Sequence, residues 1–180
     1  SGESASVLRF APRAGRTSTP CEELELAGRA QYLRGNDASR WVRDVPRCAR
    51  LRWHDVRPGV DLVLRDGDGR AEYDFEFAPG ADAAGLTVDV TGGTLRLTAG
   101  RLEIVTATGL VAQDAPIAYQ LVGGKRVPVD VTYELRGDHA FGFVLDAIDP
   151  AHPLVIDPIV GYATWLGGSN WDYVLDIAVD

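Results

Sequence analysis

Residues 57–80, RPGVDLVLRDGDGRAEYDFEFAPG, leave this chain few ways to fold. Val60, Leu62 and Leu64 alternate with Asp61, Val63 and Arg65. Beyond Asp66-Gly67-Asp68-Gly69, Ala71, Tyr73, Phe75 and Phe77 alternate with Glu72, Asp74 and Glu76. Successive strand side chains point to opposite faces, so alternation on both sides of an Asp-Gly turn specifies an antiparallel hairpin. The second strand is expected to turn its aromatic rings to a core and its carboxylates outward.

The same period recurs along the chain. Strands are expected over 6–10, 22–27, 48–53, 86–90, 95–97, 102–106, 117–122, 141–145 and 154–156, with turns at Gly92-Gly93, Ala99-Gly100 and Gly123-Gly124. In the second of these, Leu24 and Leu26 alternate with Glu and suit a half-buried strand. Val127, Val129, Val131 and Tyr133 read as one long strand, with Pro128 marking an edge or bulge. Trp41 reads as a core anchor. About ten to twelve strands at intervals of about 8–12 residues, with no helix before position 165, predict an all-β protein: an antiparallel β-sandwich or a curled, barrel-like sheet.

Hydrophobic residues make up 46% of the 180, enough for a sizeable core and too many for a disordered chain. No apolar run reaches the roughly 18 residues of a spanning helix, so membrane insertion is not expected. The chain opens on Ser1-Gly2-Glu3 without Met, which reads as a processed N terminus or an expression scar. The net charge of −8 is uneven: residues 1–53 hold ten Arg against six acids, and residues 54–180 hold eight basic groups against twenty acidic ones. The basic segment is expected to pack beside the acidic body, or else to offer a cationic face to an acidic partner. The acidic total and the lack of a basic-aromatic motif argue against nucleic acid. Cys21 and Cys48 are the only cysteines, and in an exported chain they permit one disulfide.

Candidate chemistry is sparse. Glu72, Asp74 and Glu76 form an acidic stripe which, with Asp61 across the hairpin, could hold calcium, an ion that favours carboxylate and carbonyl oxygens. The alternative is a solvated sheet face. The same carboxylates could suggest a glycosidase pair, but no row of sugar-binding aromatics accompanies them. No Gly-x-Ser-x-Gly appears, and His54, His139 and His152 are isolated. Gly123-Gly124-Lys125 reads as a hairpin turn, since no helix follows to cradle a phosphate. The expectation is a protein that is not an enzyme.

One ordered set of motifs has a wider echo: Tyr32-Leu33-x-Gly35-Asn36-Asp37, Trp41, Val45-Pro46, Pro58-Gly59-Val60-Asp61-Leu62-Val63, Glu72-Tyr73-Asp74-Phe75, Ala78-Pro79-Gly80-Ala81-Asp82, Pro116-x-x-Tyr119-Gln120 and Pro153-Leu154-Val155-Ile156-Asp157-Pro158. Over roughly residues 7–158 this resembles a bacterial domain of unknown function that precedes SBBP repeats, named for a presumed seven-bladed β-propeller. Tyr162-Ala163-Thr164-Trp165-Leu166-Gly167-Gly168-Ser169 resembles the opening of the first repeat, with Trp165 where the family usually has Tyr. The resemblance divides the chain into a β-rich domain (1–158) and a partial propeller-blade segment (159–180). It implies a secreted or cell-surface bacterial protein and supplies no catalytic residues, no cofactor and no support for the disulfide.

A blade needs about four strands, and residues 159–180 supply at most two. Trp165, Leu166, Trp171, Tyr173 and Leu175 are therefore expected to seek a protein partner, the remaining repeats or the body of the domain. The expected role is a structural or interaction module that caps or leads into a repeat array. The alternatives are a lectin-like or adhesin binding domain, calcium-dependent in one version, and a hydrolase.

Overall fold

The computed structural model describes residues 7–16, 19–67 and 70–158. Among the described residues, fourteen strands form three open antiparallel sheets, and the helical content is one 3-10 turn, Ala38–Arg40. The first sheet runs in the order β1 (Arg9–Pro12), β6 (Thr87–Thr91), β13 (Ala140–Leu145), β12 (Val131–Leu135). The second, of seven strands, runs β11 (Lys125–Val129), β10 (Ile117–Val122), β14 (Leu154–Asp157), β5 (Arg70–Phe77), β4 (Val60–Gly67), β3 (Val42–Arg57), β2 (Cys21–Tyr32). The third is β7 (Thr94–Thr98), β8 (Arg101–Thr106), β9 (Gly109–Gln113). The expected all-β, sandwich-like architecture is what forms.

The hairpin read from residues 57–80 is β4–β5, with Val60 opposite Phe77, Leu62 opposite Phe75 and Leu64 opposite Tyr73. These side chains join Leu154 and Ile156 of β14 and meet the four-stranded sheet. The Phe75 ring lies 6.2 Å from Phe143, and Tyr73 lies 6.4 Å from Phe10. Phe75, Phe141 and Phe143 are almost wholly buried, each contributing about 1.5–3 kcal/mol by area. Leu95, Leu102 and Ile104 from the third sheet belong to the same apolar cluster.

Four expectations are corrected. Leu24 and Leu26 do not face a core: they are 67% and 39% exposed. The reason is position, since β2 is the edge strand and β4 covers β3 only over Arg50–Arg57. The outer half of the β2–β3 hairpin therefore has no third strand beside it. Trp41 sits at that outer end, half-buried, with its Nε1 donating to Gly35 O at 3.1 Å and the Arg43 guanidinium 5.0 Å from its ring. It closes a turn and is not part of the core.

The span Val127–Tyr133 is not one strand. The chain changes sheets at Asp130, whose carbonyl accepts from Asp146 N at 3.0 Å, so that β11 and β12 lie in different layers. Pro128 is on an edge strand, as a residue without an N–H must be.

The Cys21–Cys48 disulfide does not form, and both thiols are free. Cys21 stands opposite Arg52 while Cys48 stands opposite Glu25. That offset along the ladder, about 13 Å at strand rise, exceeds the roughly 7 Å that a disulfide can span.

Candidate functional site

The charged face of the seven-stranded sheet carries most of the polar chemistry. Asp61 opposes Glu76, and Arg65 opposes Glu72. Because opposed residues share a face, Asp61, Arg65, Glu72, Asp74 and Glu76 all project away from the aromatic core. Asp157 of β14 joins them, since the pairing of Ile156 with Phe75 places Asp157 opposite Asp74.

The carboxylates of this face are paired with cations. Two guanidinium groups occupy it. Arg52, on β3, donates to Glu23 at 2.9 Å, Asp61 at 3.0 Å and Glu76 at 2.8 Å, and its side chain is only 12% exposed. Arg65 reaches Glu72 at 2.5 Å, Asp74 at 2.9 Å and Asp157 at 2.7 Å. All four residues expected to bind calcium are thus brought together, but each is engaged by an arginine. Among the described residues, no three His, Cys, Asp or Glu side chains converge in a way that would hold a metal.

The electrostatics follow from the pairing. Burial alone would push the Asp61 carboxyl up, but the Asp55 amide, Arg52 and His54 outweigh it and hold the carboxyl below its ordinary range. Burial opposes charge on Arg52 as well, yet Glu76, Glu23 and Asp61 hold its pKa above the usual arginine value. Asp157 goes the other way. Burial first, and then the neighbouring Asp74 carboxylate, push it up to about 6 against the pull of Arg65. His54 is not isolated: its Nδ1 lies 2.9 Å from Asp61 Oδ2.

Beside the Arg52 cluster, a groove of about 400 Å³ runs over β10, β14 and β5, lined by Tyr119, Leu121, Arg126, Pro153, Val155 and Glu76. The Arg126 guanidinium stacks 4.4 Å from the Tyr119 ring centre, a contact worth on the order of 0.5–1 kcal/mol at an open site.

The motifs that suggested a family resolve into structural parts. Gly59, at φ +73°, turns the chain into β4, and its N–H donates to Asp55 Oδ1 at 2.8 Å. Gln120 is buried and pins the loop before β14: its amide nitrogen donates to Asp149 O at 2.7 Å and its oxygen accepts from Asp149 N at 2.9 Å. In Glu72-Tyr73-Asp74-Phe75, the rings go to the core and the carboxylates to Arg65.

A family model described as a domain of unknown function, DUF7948, matches residues 8–159. This chain belongs to the DUF7948 family. No curated protein and no solved structure gives a significant match. The DUF7948 match covers the whole of the three-sheet body, so the body is the family's unit. Trp165, Leu166, Trp171, Tyr173 and Leu175, expected to form an interface, lie outside the described residues. The part of the DUF7948 site hidden from sequence reading is its arginines. Arg65 is in phase with Asp61 and Val63 and could have been placed on the acidic face by register alone. Arg52 and Asp157 depend on strand pairings that the order of the chain does not dictate.

Proposed function

We propose that this DUF7948 protein is a non-catalytic, extracellular or cell-surface bacterial module that leads into a β-propeller array of SBBP type and makes its contacts through residues 159–180. The observation that carries this reading is the place of β14. It is the last described strand, and it lies between β10 and β5 inside the seven-stranded sheet. The polypeptide that follows therefore leaves the body from an inner strand of this layer, at its Asp157 end. The likeness of residues 162–169 to a repeat opening supports the same reading. Limited proteolysis of the full chain in solution is the test. Residues 159–180 should resist cleavage by docking or by pairing with another molecule, and their rapid removal as a free tail, with the body intact, would end the proposal.

A second reading, a lectin-like or adhesin domain, draws on the groove itself, where Tyr119 and Arg126 stand beside Asp61 and Glu76. Thermal melting with added calcium separates the two. A large calcium-dependent rise favours the binder. The array module should melt unchanged, because arginine already holds the carboxylates.

A further inference from the structure

One guanidinium, that of Arg65, serves three carboxylates, Glu72, Asp74 and Asp157. Arg65 Nη2 donates both to Asp74 Oδ1 at 3.2 Å and to Asp157 Oδ2 at 2.7 Å, so the two aspartates meet at a single nitrogen. They are opposed across the β14–β5 ladder. Asp157 Oδ1 is buried and has no hydrogen-bond donor, the one such side-chain atom among the described residues. A buried carboxylate oxygen without a donor is costly, and the cost disappears if that oxygen carries a proton and donates it to a neighbouring carboxylate.

We propose that Asp157 and Asp74 form a proton-sharing carboxyl pair that holds β14 against β5 when protonated and loosens that joint when the proton leaves to solvent. The bond broken is the Asp157 O–H, the proton goes to water or buffer base, and no other group changes. Around the pair stand Arg65 from β4, Glu72 from β5 and Tyr119 from β10. Glu76 lies one pair further along and is committed to Arg52, and Tyr73 and Tyr133 approach from the core side. With the proton present, the Arg65 cluster carries two negative charges against one positive. Without it, three carboxylates crowd one cation. The upward shift of Asp157 agrees with this geometry. The joint lies next to residues 159–180, so acidity would set how firmly the body holds the strand from which they emerge.

Carboxyl-detected NMR titration of the full chain is the first measurement, and Asp157 should titrate near pH 6 in place of the ordinary 3.8. In Asp74→Asn the Asp157 midpoint should fall, because the like charge is gone. Hydrogen exchange at the β14 amides, corrected for intrinsic rate, is the second. Protection in the wild type should drop roughly tenfold between pH 5 and pH 7.5. In Asp157→Asn, whose side-chain amide donates at every pH, protection should stay level. An Asp157 midpoint at or below 4, or the same pH profile of β14 protection in the wild type and Asp157→Asn, overturns the proposal.

Discussion

Tyr73 and Tyr133, on opposite layers of the sandwich, donate to one oxygen: Gln113 Oε1 accepts from the first at 3.1 Å and from the second at 3.2 Å. Gln113 belongs to the third sheet and is 1% exposed. All three sheets are therefore tied at one polar point inside an apolar core, and a buried hydroxyl that loses its acceptor bears the full desolvation cost.

Gln113→Ala should destabilise the domain by about 2–3 kcal/mol, since two buried hydroxyls lose their partner at once. Urea unfolding measures this. Burial holds both phenols above their ordinary range, the Gln113 contact only partly offsetting it at Tyr73. In an alkaline absorbance titration these two tyrosines should stay neutral until the protein unfolds.

Arg52→Gln should destabilise the protein at neutral pH by about 1–3 kcal/mol, because Glu23, Asp61 and Glu76 lose their shared cation. The acid limb carries a further signature. Asp61 is held below its unfolded value, so its contribution is present above about pH 4 and is lost as pH falls through its folded pKa. Unfolding free energy measured from pH 5 down to pH 2 should fall less steeply in the variant than in the wild type.

Gly92→Ala should cost at least about 2 kcal/mol and weaken the pairing of β1 with β6. Gly92 has φ +92°, and an added Cβ would lie 2.0 Å from the Val7 carbonyl oxygen. Backbone stands in the way, and no rotamer can relieve the contact. The check is a thermal melt together with exchange rates at the β1 amides.

Both thiols should react with a thiol reagent in the native protein, exposed Cys21 ahead of half-buried Cys48. Adding a reductant should leave the melting temperature where it is. A fall on reduction would mean that the offset register of β2 and β3 is wrong.

How much of this could be read from sequence depends on the range of the interaction. The β4–β5 hairpin was legible because its alternation and its turn lie within one short stretch, and Phe75 and Phe77 are buried as that pattern requires. Leu24 and Leu26 carry the same alternation, yet it misleads, because period two reveals which residues share a face and not whether anything covers it. Val127–Tyr133 kept its alternation straight through the sheet change at Asp130, although only the second half buries a ring, Tyr133, while Val127 on the edge strand stays 46% exposed. The acidic stripe was visible, whereas its neutralisation was not. Arg65 reaches Asp157 across 92 positions of sequence, and no local pattern reports such a pairing. Gln113 gave no sign at all, being one amide whose value arises only where three sheets converge.

The central place of β14 has a mechanical consequence. Any pull transmitted by the downstream polypeptide arrives along the axis of a strand bonded on both sides, to β5 and to β10. Such a load would have to shear two ladders at once instead of peeling one bond at a time, so β14 is the strand least easily drawn out of its sheet by tension on its end.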